Sequence, residues 1–127
     1  MNIQWFSKDN TTSAVTIYEN NITISKKAAN YFEDAFSVTV GVDSKTKEII
    51  IKSVSSQEAQ MIDKLSLYNI SIKPSYGRIN GKQLVDSILS TLDFQAIRGK
   101  ESLKFNAKWS PQQKMLIIDT TKGVDGE

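Results

Sequence analysis

The stretch FSVTVGVDSKTKEIII, residues 36–51, reads as a complete β-hairpin, and LKFNAKWSPQQKMLII, residues 103–118, reads as the same hairpin again. In the first, Val38, Val40 and Val42 alternate with Thr39, Gly41 and Asp43, the period of two that turns one face of a strand inward. In the second, Leu103, Phe105, Ala107 and Trp109 alternate with Lys104, Asn106 and Lys108. A polar turn follows each, Asp43 to Thr46 or Ser110 to Gln113, with Pro111 suited to an early turn position. An aliphatic run then returns, Ile49 to Ile51 or Leu116 to Ile118. Laid on one another, Phe36, Val38, Val40, Val42 and Lys47 meet Leu103, Phe105, Ala107, Trp109 and Lys114 at a constant shift of 67 residues (103 minus 36).

The chain ahead of each hairpin repeats as well. Val15, Thr16 and Ile17 meet Ile70, Ser71 and Ile72, and Ile24 and Ser25 meet Ile79 and Asn80, at a shift of 55 (70 minus 15). The two shifts differ by 12 residues (67 minus 55), which places a longer helix and a longer loop, around Thr91 to Glu101, in the second copy. Preserved order and spacing mark a duplicated supersecondary unit.

Between strands and hairpin each copy carries a helical stripe. Ala28, Tyr31, Phe32, Ala35 and Phe36 share one face, with Ser25 as N-cap, predicting a helix from Lys26 to Asp34. Leu84, Val85, Ile88, Leu89 and Leu92 form the second stripe, with Asn80 as cap and Gln83 as capping-box partner; its phase is displaced by one residue from the 55 shift. Ser55 and Glu58 have capping-box spacing ahead of Met61, Ile62 and Leu65, predicting a short helical linker. The expected organisation is a first ββαββ repeat over 14–54, a linker over 55–68 and a second repeat over 69–121, packed as one globular domain, with partly flexible ends at 1–13 and 122–127. Ile3, Trp5 and Phe6 are apolar enough for part of the N-terminus to dock.

At 127 residues and 39% hydrophobic content the chain can bury one core without staples. It has no cysteine, which excludes disulfides and thiolate ligands and suits a reducing compartment. Met1 to Thr12 lacks the basic and apolar order of a secretory signal, and the longest apolar runs fall far below the ~20 residues of a spanning helix. The expected location is the cytoplasm, away from membranes.

There is no histidine, so serine triads, Cys/His pairs and histidine metal sites are excluded. Glu19, the pair Glu33 and Asp34, and the pair Asp86 and Asp93 are ordinary solvated carboxylates, since adjacent ones on a helix diverge by about 100°. Gly77, Gly81 and Lys82 fall one residue short of a phosphate-binding loop, with Gln83 where a hydroxyl is required, and read as turn and helix-start residues. The expectation is a non-enzyme with no cofactor and no metal. A net charge of +2, from 16 basic against 14 acidic residues, leaves any nucleic-acid function to charge distribution.

The order strand, strand, short helix, hairpin resembles the swapped-hairpin domain of the AbrB/SpoVT/MazE superfamily of bacterial transition-state regulators and antitoxins, and two copies in one chain resemble the MraZ arrangement. The second copy reads Tyr76, Gly77, Arg78, Ile79, Asn80, Gly81, Lys82, which keeps the family's Gly-Arg pair and the apolar residue after it. The first reads Asn20, Asn21, Ile22, Thr23, Ile24, Ser25, Lys26, Lys27; here Asn-Asn replaces Gly-Arg, and neither copy has the family's proline before the helix. The resemblance implies a mainly β fold with short helices, two tandem units forming a pseudo-dimeric swapped-hairpin β-barrel; an open antiparallel α+β sheet is the alternative that periodicity leaves standing. It also implies a DNA-binding transcriptional regulator. Arg78 takes the arginine position, and Lys82, Lys26, Lys27 and Lys73 lie where cations reach duplex phosphates. The competing expectation is a protein-interaction module or antitoxin-like partner that has lost DNA binding. Either admits a homodimer. A further basic group, Arg98, Lys100, Lys104 and Lys108, reads as charge that keeps a strand edge soluble.

Overall fold

In the computed structural model, residues 3, 13–95, 97, 99 and 101–123 are described. The fold is mainly β with few short helices, as expected. The elements are β1 (Ala14–Ile17), β2 (Asn21–Ser25), α1 (Lys26–Asn30), β3 (Ser37–Asp43), β4 (Glu48–Val54), α2 (Ser56–Ala59), a 3-10 turn (Lys64–Ser66), β5 (Ser71–Ile72), β6 (Tyr76–Asn80), α3 (Lys82–Thr91), β7 (Leu103–Ser110) and β8 (Met115–Gly123). The strands form one curled antiparallel sheet in the order β3-β4-β8-β7-β1-β2-β6-β5. Its two edges approach each other, for Val38 in β3 makes an antiparallel bridge to Tyr68, just ahead of β5. No helix is long and apolar enough to cross a membrane among the described residues.

Two registers organise this sheet. β2 pairs with β6 so that Thr23 faces Arg78 at the midpoint, and β4 pairs with β8 so that Ile50 faces Ile117 at the midpoint. These are the residues that the shifts of 55 (78 minus 23) and 67 (117 minus 50) make equivalent. Facing equivalents are what a self-complementary, two-fold pairing demands. The hairpin turns obey the same relation. Lys47 and Lys114 both have positive φ, 61° and 56°. The carbonyl of Lys47 accepts from Thr120 N–H, while that of Lys114 accepts from Ser53 N–H at 2.9 Å, again 67 residues apart (120 minus 53).

One core lies between the inner face of the curl and the helices. Ile22, Ile24, Ile79, Ile49, Ile51, Leu116 and Ile118 are buried there with Ala28, Ala29, Phe32, Val85 and Ile88. Contacts join segments far apart along the chain: β1 pairs with β7, and Trp109 stacks on Tyr31 at 4.8 Å while Phe32 packs edge-on against it at 5.4 Å. Gly77 is an interior strand residue here, not the turn residue its neighbours suggested. A Cβ on it would stand 3.0 Å from Ile24 and 3.2 Å from Ala29, so its lack of a side chain lets α1 lie close on β6.

Several local expectations are corrected. α1 stops at Asn30, four residues before Asp34, and Phe36 leaves the apolar stripe to stand 62% exposed. Ser25 is the N-cap, but its hydroxyl accepts from Ala14 N–H at 3.0 Å, tying the helix start to β1. The cap of α3 is Gly81 with no side-chain bond, so the Asn80 and Gln83 capping box does not form. Gly81 also accounts for the one-residue phase slip: α1 follows β2 directly, whereas one residue separates β6 from α3. The linker box of Ser55 and Glu58 does form, at 3.0 and 3.1 Å. Met61 and Leu65 beyond it stay outside the core, 84% and 88% exposed, because the helix ends at Ala59 before they can share a face. Trp5, Phe6, Arg98 and Lys100 lie outside the described residues.

Candidate nucleic-acid interface

Strand alternation puts Tyr76, Arg78 and Asn80 on the outer face of β6, because Gly77 and Ile79 between them are buried. The same parity turns Asn21, Thr23 and Ser25 outward on β2, Ala14 and Thr16 on β1, and Lys104, Asn106 and Lys108 on β7. Register then assembles a row across five strands: Ser71, Arg78, Thr23, Thr16, Lys104. Arg78 and Lys104 are three strand steps apart, about 14 Å. None of these outward strand positions, from β5 to β7, carries a carboxylate.

Arg78 stands in this row between Ser71 of the edge strand and Thr23. Its guanidinium lies 5.3 Å from the centroid of the Tyr76 ring and donates to the Tyr76 hydroxyl at 3.4 Å. Those contacts orient the planar group without neutralising it. Tyr18, Asn21, Thr23, Tyr76 and Arg78 together line a shallow recess of about 310 Å³. Tyr18 sits in the β1–β2 turn, where its N–H donates to the Asn21 carbonyl at 2.9 Å, and its side chain is exposed. Thr23 donates its hydroxyl to Asn21 Oδ1 at 2.9 Å, and Asn21 Nδ2 donates to Asn20 Oδ1 at 3.0 Å, which fixes the plane of the Asn21 amide.

The structure distributes the five basic residues expected from sequence unequally. Lys73 N–H donates to the Tyr76 carbonyl at 2.7 Å, so Lys73 flanks the Tyr76 end of the β6 ladder. Lys26 and Lys27 begin α1 at that same end, since Ser25 pairs with Tyr76, and both are exposed. Lys82 is at the opposite end, beyond Asn80, and its ammonium pairs with Asp86 at 3.6 Å on its own helix. An exposed i, i+4 pair of this kind is worth only about 0.3–0.5 kcal/mol, but it places a carboxylate beside a lysine that shares its cleft with Glu19. The expected set is therefore Arg78 with three lysines at the Tyr76 end of its ladder, plus Lys82 set apart.

Sequence reasoning missed four contributors. Lys104 and Lys108 had been assigned to a strand edge; β7 is instead an interior strand, paired on both sides, and its lysines extend the Arg78 face. Tyr76 was legible by parity with Arg78, two residues away. Tyr18 had no local signal, because only the β1–β2 turn and the β2–β6 register bring it to Arg78. The other half of the sheet is electrically unlike this one. Asp43 pairs with Glu48, and Glu48 with Asp119, a row of three outward carboxylates across β3, β4 and β8. They serve local turns, with Asp43 accepting from Lys45 and Thr46 N–H and Asp119 from Thr121. Among the described residues no acidic group assembles as a metal site. The chain matches no family model, no curated protein and no solved structure.

Proposed function

We propose that the protein is a DNA-binding regulator in which two tandem ββαββ units, residues 14–54 and 69–121, close into a swapped-hairpin barrel of the AbrB and MraZ kind. The observation that carries this reading is the position of Arg78: it lies at the midpoint of the β2–β6 ladder, among outward strand positions from β5 to β7 that bear lysines and no carboxylate. Nucleic acid is a dense polyanion, and a group of outward strand positions that holds three cations, Arg78, Lys104 and Lys108, gains affinity by releasing its counterions. Arg78 is the one of these whose fork reaches base edges as well as phosphates. The working compartment of such a regulator is the cytoplasm.

Fluorescence anisotropy with labelled DNA tests the reading. Affinity falls steeply between about 50 and 200 mM salt, and Arg78→Ala combined with Lys104→Ala removes most of it. An absence of binding at low salt sinks the proposal.

A second reading is a protein-interaction or antitoxin-like module without DNA binding. The facing pair Thr23 and Arg78 favours it, because the two-fold midpoint holds one cation instead of two. Stoichiometric capture of a protein partner, with no nucleic acid retained at low salt, would select this alternative.

A further inference from the structure

We propose that the recess lined by Tyr18, Asn21, Thr23, Tyr76 and Arg78 is a subsite for one unpaired nucleobase and its phosphate, so that the outer face prefers single-stranded to duplex nucleic acid. This rests on the nucleic-acid reading above and specifies its ligand.

Three groups in the recess have unspent capacity. Tyr18 is 37% exposed, and among the described residues no ring or cation stacks on it. An open aromatic face takes a base by stacking, and a base inside a duplex has both faces covered by its neighbours. The Asn21 amide is held in plane by Thr23 and Asn20, yet one N–H and one carbonyl lone pair remain free. That adjacent donor and acceptor is the pattern complementary to an adenine edge.

Arg78 supplies the third. Tyr76 covers one face of its guanidinium and engages Nη2, and no described carboxylate pairs with it, so the remaining N–H groups are free for a phosphate. Because Thr23 faces Arg78, Asn21 is its diagonal neighbour, about 7–8 Å away across the ladder. One nucleotide spans that interval with its base on Tyr18 and Asn21 and its phosphate on Arg78. Lys104 in the same row and Lys73 at the far side then meet neighbouring phosphates along a strand. Tyr76 acts through Arg78 and is a positioning residue.

The test is anisotropy of the full chain with a labelled oligodeoxyadenylate, free and annealed to its complement, at two salt concentrations, with circular dichroism of every variant. The single strand is expected to bind more tightly than the duplex. Tyr18→Ala lowers single-strand affinity about 10-fold with an unchanged salt slope, while Tyr18→Phe stays near wild type. Arg78→Ala reduces the slope by about 0.7, the loss of one phosphate contact. If Tyr18→Ala fails to fold, Asn21→Ala carries the test, and it should erase the preference for deoxyadenylate over thymidylate. Equal or tighter binding of the duplex, with Tyr18→Ala without effect, overturns the subsite and leaves the nucleic-acid reading intact. Failure of both DNA forms to bind defeats both. Displacement of the oligonucleotide by polyglutamate at equal charge overturns base recognition in favour of an acidic protein segment.

Discussion

The sheet contains two ladders in which sequence-equivalent residues face each other, and they have been put to opposite uses. At the β4–β8 midpoint Ile50 faces Ile117, flanked inward by Ile49, Ile51, Leu116 and Ile118, all at most 1% exposed. At the β2–β6 midpoint Thr23 faces Arg78, flanked outward by Asn21, Tyr76 and Asn80. On their inward side both ladders hold aliphatics, Ile22 facing Ile79 and Ile49 facing Ile118, because truncation there leaves a cavity. The second ladder tolerates unlike partners, since its outward side chains face water and cost little when exchanged. Outward strand positions are thus where packing constrains side-chain identity least, and that is also where ligands reach the sheet.

The contrast breaks most visibly in stability. Leu116→Ala should cost about 2–5 kcal/mol in urea denaturation, whereas Arg78→Ala should stay within about 0.5 kcal/mol of the parent. Comparable losses would mean that the outward side of the β2–β6 ladder is as structural as the inward side of β4–β8. Gly77→Ala comes next: forcing a methyl against Ile24 and Ala29 should destabilise by about 1–3 kcal/mol, read from the same titration, even though it lies one residue from Arg78. Little or no loss would show that α1 does not need its close seat on β6.

Smaller changes probe whether the hairpins are equivalent in energy as well as in shape. Replacing Lys47 or Lys114 with glycine relieves a left-handed backbone at the cost of a freer unfolded chain, for a net gain of about 0.5 kcal/mol each. Thermal melts should show the two gains to be alike, and unequal shifts would limit the symmetry to geometry. The smallest effect concerns the linker between the copies. The backbone N–H of Ser55, then its hydroxyl, with Lys52 and Lys114 adding, hold the Glu58 carboxyl below its usual pKa. A carboxylate depressed in the folded state stabilises at neutral pH, and that contribution disappears as pH falls through the lowered pKa. Glu58→Gln keeps the cap and removes the titration, so the variant and parent should converge in urea midpoint on acidification. Parallel pH profiles would contradict this.

Much of the fold was legible because hairpins announce themselves locally. Period-two alternation and polar turns define β3-β4 and β7-β8 from neighbouring residues alone, and the constant 67 shift ties Lys47 to Lys114 without any coordinates. The linker cap was readable for the same reason, since Ser55 and Glu58 interact within one turn. Less of the candidate site was legible. Arg78 stood out through its Gly-Arg pair, but Lys104 was misread as edge charge because nothing local says that β7 has neighbours on both sides.

The amino-acid sequence by itself determined the mainly β class and the inward or outward parity of the hairpin strand residues, properties carried by spacing along the chain. Only the tertiary structure decided that β1 pairs with β7, that Gly81 absorbs the slip between the two helices, and that Tyr18, Asn21 and Arg78 share one recess. Those outcomes depend on which strands lie side by side, and pairing between distant strands is chosen by the packing of the whole core, which no short stretch of residues encodes.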